Sequence, residues 1–576
     1  MSMDETQRRV DDIRSERSEV ENHLIDEYKA GKISRRDFVR RGTVVGMSIP
    51  LLSVLAAACG GGDDGGEAAT TEAADTGGAA QTSATTAAET AATQPGGTIR
   101  VALIQPTTEP NPLLVQDEGG AGILGATGEF LSFSDANLEL QPRIAESWSP
   151  NEDGSVWTFT IRQGVTFHDG TPLTANDVVS TMEKLIEGSA NAQSVFSGVL
   201  SAGNTVAPDD ATVEFTLDAP NGNFPTLVSS TNYNAIIIPE SLDPADWGQT
   251  FMGTGPFKLE SFTPKVGLKV VRNDDYWGPT ALVDSLDIKF YDEEAPMILA
   301  LQGDEVDFVE HFSVAGGKAL LDDPNAQVLA VKAATHRQLH MRTDKEPFTD
   351  KRVRQAIGLS IDRNALVEGL WEGQADIGND SPFAPLYPST DTSVPQREQD
   401  IEQAKQLLAD AGAGSFEVQL DTWNGFEIPD LAQLVKNYAE QIGVTINLRI
   451  TDAGTYYGDG VYGNSTWLDS VMGITDYGHR PVPNVYLTAA LSSDGPWNSA
   501  HFKNPTYDGL VADYVAALDL DSQRAVAKQI QELLLDETPI VFPYFYYFLS
   551  AAKPNLQGAL SAATGQFDLS QAAFTA

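Results

Sequence analysis

The chain is short of basic residues, almost without cysteine, and carries neither of the short motifs that mark the commonest hydrolases. Lys and Arg number 37 against 81 Asp and Glu, a formal charge of −44. Such acidity argues against nucleic acid as a partner, because phosphate contacts need clustered cations. Cys59 is the single cysteine, so no intrachain disulfide can form and the fold must rely on its core. There is no Gly-x-Ser-x-Gly elbow and no His-Glu-x-x-His helix, which removes the serine-hydrolase and zinc-protease patterns. The apolar run "TVVGMSIPLLSVLAAA" (43–58) is interrupted by Gly46 and Pro50 and is shorter than the roughly 20 residues a stable membrane span needs.

What the chain does have begins just before that run. "ISRRDFVRRG" (33–42) concentrates arginines in an acidic protein, and the apolar run ends at Cys59. A charged flank, a short apolar segment and small residues before a boundary describe an export signal. Ser34-Arg35-Arg36-Asp37-Phe38-Val39 resembles the twin-arginine signal read by a translocase of folded proteins. Leu55-Ala56-Ala57-Ala58-Cys59 resembles a lipobox, with the leucine one position further from the cysteine than is usual. Together they imply a signal over 1–58 led by Arg35 and Arg36, and lipidation of Cys59. Residues 59–95 are Gly, Ala, Thr and Ser with a few acids, no base and no aromatic residue. Such a segment cannot bury enough apolar surface to offset chain entropy and is expected to be a disordered tether, with a root-mean-square span of roughly 30 Å.

The body from about residue 96 shows clear periodicities. Ile401, Ala404, Leu408 and Ala411 recur at helical spacing before Gly412 and Gly414. Phe416, Val418, Leu420 and Thr422 alternate as a strand, Ile428 to Ile442 returns to helical period, and Val444 to Ile450 alternates again. Strand, helix, strand in this compass is a βαβ unit and predicts a parallel sheet. Val471–Ile474 reads as a buried strand, 525–534 as a helix, and "IVFPYFYYFL" (540–549) as a strand with an edge or bulge at Pro543. His336 and His340 share one face of a further strand, with no third metal ligand nearby in sequence. In open α/β sheets ligands bind beyond the strands' carboxyl ends. Trp423 and Thr475-Asp476-Tyr477 stand at two such ends. An aromatic face beside a carboxylate suits an amine-bearing ligand, while a core tryptophan and a capping aspartate would look the same from spacing alone.

Several segments in order resemble the solute-binding proteins of the oligopeptide, dipeptide and nickel ABC importers, family 5. They are "LELQPRIAESWSP" (138–150), "DGSVWTFTIRQGVTFHDGTPLTANDVVSTMEK" (153–184), "GTGPFKLESFTPKVGLKVVRNDDYWG" (253–278), "EPFTDKRVRQAIGLSIDRNALV" (346–367), "PTYDGL" (505–510) and "ETPIVFPYF" (537–545). The resemblance implies an α/β, two-lobed periplasmic-binding-protein-like fold of the class II type with an additional inserted domain. Lobe I would comprise 96–132, 234–327 and 545–576, the insert 133–233 and lobe II 328–544, closing on ligand by a hinge. "GTGPFKL" is expected as a turn near that hinge, and His168 as structural. The loop matching Gln116–Gly122, which holds Glu118, would border the cleft, its glycines letting backbone approach the ligand; Tyr276 would lie near the ligand. Asp476 stands where oligopeptide-binding relatives place the aspartate that pairs with the ligand's ammonium. Six residues earlier, where some relatives carry an arginine for the ligand carboxylate, this chain has Ser470; Arg480 is either a substitute cation or an exposed loop residue.

The implied protein is a monomeric, lipid-anchored, extracytoplasmic binding protein. It would deliver peptides or another amine-bearing solute to a permease and ATPase complex, with no cofactor, metal or catalysis. The alternatives are the same role for an opine, an oligosaccharide or a metal chelate, and an anchored hydrolase. Expected ligand contacts are Asp476, Trp423, Tyr477, Tyr276, Glu118 and Arg480.

Overall fold

The structure, a computed structural model, describes residues 93–188 and 195–575. The expected signal with Arg35 and Arg36, the lipidation site Cys59 and the tether through residue 92 lie outside the described residues. The end of the tether does not. Thr93–Gln94 is a short strand paired antiparallel with Ala573–Thr575, where disorder to residue 95 was expected. The pairing covers an edge whose backbone groups would otherwise lack partners.

Two seven-stranded mixed sheets carry the body. The first runs Gln327–Val331, Phe548–Ala552, Phe308–Val309, Thr98–Ile104, Ser285–Tyr291, Gly267–Arg272, Phe257–Thr263. The second runs Ala375–Ile377, Tyr544–Tyr546, His336–Met341, Met472–Tyr477, Phe416–Trp423, Val444–Thr451, with Ile540–Val541 also on His336–Met341. A separate four-stranded antiparallel sheet lies between Ala145 and Thr216 and is backed by the helix Ala175–Gly188. Phe159, Phe215 and Phe224 pack tilted or edge to face in its core. The architecture is two α/β lobes with an added domain.

The predicted βαβ unit is present. Phe416–Trp423 pairs parallel with Val444–Thr451, from Phe416 opposite Val444 to Trp423 opposite Thr451. The intervening helix, Ile428–Gln441, buries Ile428, Leu431, Ala432, Val435 and Ala439 on one stripe. Each large apolar side chain there contributes about 1.5–3 kcal/mol, so a charge at Val435 would detach the helix from its sheet. The Met472–Tyr477 strand pairs parallel with Phe416–Trp423 and antiparallel with His336–Met341. It runs on to Tyr477, opposite His336, rather than stopping at Ile474. Asp476 and Tyr477 are therefore held inside a strand.

The chain passes between the sheets twice. Val331 ends a strand of the first and His336 begins one of the second; Tyr546 ends a strand of the second and Phe548 begins one of the first. The crossings at 332–335 and Tyr547 lie a few residues beyond the expected boundaries. They run side by side: Tyr546 N donates to Thr335 O at 3.0 Å, while Lys332 Nζ and Tyr547 Oη both reach Asp376 Oδ1, at 2.9 and 2.8 Å. The strand expected over 540–549 is thus three strands. Pro543, which lacks an N–H, separates the first two, and the crossing separates the third.

"GTGPFKL" is not at this crossing. It stitches the inserted domain to the first lobe: His168 N donates to Gly253 O at 3.0 Å and His168 Nε2 meets Gly255 O at 3.1 Å. A Cβ on Gly255 would stand 2.7 Å from the backbone of Thr127, so its glycine serves a close chain contact.

Candidate functional site

At the carboxyl end of Met472–Tyr477 the side chains converge on Asp476. Its Oδ1 accepts from Trp423 Nε1 at 3.0 Å and from the hydroxyl of Tyr457. Its Oδ2 has no hydrogen-bond partner among the described residues, and the side chain is half-buried. Trp423 arrives because its strand is parallel and adjacent. Tyr457 comes from the short helix Ala453–Tyr457, whose N-cap Asp452 accepts from Thr455 N. Burial, then the Asp476 charge, raises the Tyr457 hydroxyl, so it stays protonated and donates. Trp423, Tyr457, Tyr477 and Trp497 all pack around the small cluster of Tyr456, Trp467 and Leu468. Phe426 stands at the rim, 73% exposed and edge-on to Trp423. A carboxylate held by one oxygen and walled by ring faces is equipped to receive an organic cation.

Opposite Asp476 in register is Arg337, with 1% of its side chain exposed. Its guanidinium is held at both terminal nitrogens: Nη2 bonds Glu427 Oε2 at 2.8 Å and Nη1 donates to Tyr546 Oη at 2.8 Å, while Nε has no partner among the described residues. It is sandwiched between the Phe426 and Tyr546 rings, 5.2 and 4.7 Å away. Tyr544 Oη closes the group on Glu427 Oε1 at 2.8 Å. This cluster gives Asp476 a positive neighbour without occupying its free oxygen.

Immediately beyond the strand the chain enters a cavity of about 450 Å³. One wall is Gly478–Val482, with Arg480; another is Gln116–Glu118; a third comes from the inserted domain, with Thr231, Asn232 and Tyr233. Arg480 donates Nη1 to His479 O at 2.9 Å and has no carboxylate within 4.0 Å among the described residues. Burial raises the Tyr233 hydroxyl, and the nearby Arg480 charge opposes that rise. Glu118 is not in a loop. It begins the helix Glu118–Thr127, and its Oε2 meets His311 Nδ1 at 2.7 Å. The glycines after it serve packing, not ligand approach: a Cβ on Gly119 would lie 2.1 Å from Ile104 O, and one on Gly122 would lie 2.8 Å from the Phe567 ring. Beneath them Glu310 is 1% exposed, and neither carboxylate oxygen has a hydrogen-bond partner among the described residues; burial, then the Glu118 charge, raises its pKa well above the usual carboxylate range.

The six expected contacts thus fall in three places. Asp476 and Trp423 touch, and Tyr477 is beside them but stacks on the buried His336 at 5.5 Å, so its ring belongs partly to the core. Glu118 and Arg480 line the cavity. Tyr276 lines neither: it donates to Glu129 beside Arg143 in a small pocket of about 50 Å³ under the Leu560–Asp568 hairpin. Ser470, in place of the relatives' arginine, is buried against His340, Oγ to Nε2 3.2 Å. Sequence reasoning did not find Tyr457, Arg337 or Asn232. The only trace of the first was the aromatic and glycine-rich "TYYGDGVYGN" (455–464).

A sequence profile of the bacterial extracellular solute-binding proteins, family 5, matches residues 139–495. The chain belongs to that family. Members of family 5 are binding proteins. The chain is 25% identical over 476 residues to heme-binding protein A of Haemophilus influenzae, covering 76% of this chain and 84% of that protein. It is 25% identical over 493 residues to the oligopeptide-binding protein AppA of Bacillus subtilis, covering 81% and 89%. The solved structure of HbpA2 from Haemophilus parasuis superposes with a TM-score of 0.74 at 21% identity, over 83% of this chain and all of that one. Among the described residues no helix is long and apolar enough to cross a membrane.

Proposed function

We propose that this family 5 protein is the ligand-capturing component of an ABC importer, taking a peptide or related amine-bearing solute between its lobes and handing it to a permease and ATPase complex. The observation that carries the reading is the free Oδ2 of Asp476, with Oδ1 pinned by Trp423 and Tyr457. When the lobes close and water leaves, that carboxylate needs a cation, and a ligand ammonium supplies one. Tyr477 would complete the wall, and Arg480 and Glu118 would face the ligand across the cavity, while Tyr276 stands apart from both with Glu129 and Arg143. The lobe ranges 96–132, 234–327 and 545–576, and 328–544, with the insert 133–233, are proposed as the moving parts; the paired crossings at 332–335 and Tyr547 suit a hinge. Relatives named for oligopeptides and for heme frame the ligand range.

The same reading makes the protein a monomer anchored at the outer face of the cell membrane through Cys59 after twin-arginine export. Mass spectrometry of the protein purified without unfolding tests the ligand class. A carried solute with a free amine is expected; a neutral sugar or a metal chelate would turn the reading to a non-peptide ligand. Replacing Arg35 and Arg36 by Lys is expected to leave precursor in the cytoplasm. If the Cys59→Ser protein stays on membranes after complete signal removal, the lipid anchor is wrong.

A further inference from the structure

We infer that Arg480 anchors a carboxylate of the ligand, so that the solute is a short zwitterion with its ammonium on Asp476 and its carboxylate in the cavity. This rests on the peptide reading above. Two observations independent of Asp476 meet in one cavity. Of the 13 arginines described, 12 have a carboxylate within 4.0 Å, and Arg480 is the exception. Acids are at hand in the same cavity, but they are committed elsewhere. Glu118 holds His311, and Asp117 caps its helix at Gly120 N, 2.8 Å, and takes Thr107 N at 2.9 Å. Arg480 spends one nitrogen on His479 O, which leaves the rest of its planar fork for a bidentate partner.

The second observation is Asn232, 5% exposed in the cavity wall. Its Nδ2 donates to Leu227 O at 3.4 Å, and its Oδ1 has no partner among the described residues. A buried acceptor without a donor is costly. An amide N–H next to a carboxylate, as in the last residue of a peptide, supplies the donor to Asn232 and the anion to Arg480 together. A dianionic phosphate fits less well, since a single cation would hold it beside Asp117 and Glu118. Arg480 follows Asp476 by four residues, so their Cα atoms are at most roughly 14 Å apart, a gap a peptide of a few residues bridges.

The test offers the full chain a mixture of random tripeptides as free acids, and in a second sample the same mixture as C-terminal amides, and reads captured mass by native mass spectrometry. The native protein is expected to take free acids at least about thirtyfold over amides. Arg480→Ala, with an unchanged thermal midpoint as the folding control, is expected to lose that preference, and Arg480→Lys to recover part of it. Equal capture of acids and amides by the native protein, or a preference that survives in Arg480→Ala, overturns the inference. If capture in that case still falls in Asp476→Asn, the peptide reading stands without it. No capture from either mixture overturns both.

Discussion

Two arginines lie near the exit of the strand that carries Asp476, and they are opposites. Arg337 is buried, bonded to Glu427 and Tyr546 and enclosed by two rings. Arg480 lines a cavity with one backbone contact. The first has every reason to be structural, because its charge is answered within the protein. The second has its charge answered by nothing described, and an unmet charge in a cavity is where a ligand belongs. The lesson extends to the acids: Asp476 keeps an oxygen free, whereas Asp380, fully buried, is held by Arg363 and Arg397 at 2.7 and 2.6 Å.

The comparison breaks first in stability. Arg337→Met is expected to cost about 3 kcal/mol in chemical denaturation, because the largely covered Glu427 loses its cation and keeps only the Tyr544 hydroxyl. Arg480→Ala is expected to stay within about 0.5 kcal/mol of the native protein. Similar losses in the two variants would erase the distinction.

Glu310 sharpens it next. Its folded pKa is raised, by burial and then by Glu118, so stability is lost as pH rises from the unfolded value near 4.3 toward the folded one. Glu310→Gln removes that titration. Its advantage over the native protein is expected to be near zero at pH 4 and to reach about 1–3 kcal/mol at pH 7, read from denaturation midpoints across that range.

The smallest effect belongs to His311. Burial pulls its pKa down, but the charge and hydrogen bond of Glu118 outweigh that and leave it raised. A raised histidine contributes stability that is fully present below about 6.5 and is lost as pH climbs through the folded value. Glu118 is 42% exposed, so solvent screens the pair and His311→Gln is expected to cost under about 1 kcal/mol at pH 6 and less at pH 9.

The βαβ unit was legible because its two periods are clean and glycines punctuate it. The 540–549 stretch was not: both sheets bury it, so it is apolar throughout and nothing local marks the passage at Tyr547 from one sheet to the other. Glu118–Thr127 hid its helix behind four glycines, Gly119, Gly120, Gly122 and Gly125, whose low helix propensity is overridden by packing against Ile104 and Phe567. Asp476 and Trp423 could be placed together because parallel neighbours bring strand ends together. Tyr457, Arg337 and Asn232 reach the site from other elements, and no spacing in sequence encodes that meeting.

Calorimetry of the native protein and Asp476→Asn with the co-purified ligand tests the central claim most directly. The substitution keeps shape and one hydrogen-bonding oxygen but removes the charge. A bound ammonium would lose its partner in a closed, dry cleft, and affinity is expected to fall about a hundredfold or more. Affinities equal within a factor of about three would contradict the account, leaving Asp476 a structural acceptor for Trp423 and Tyr457.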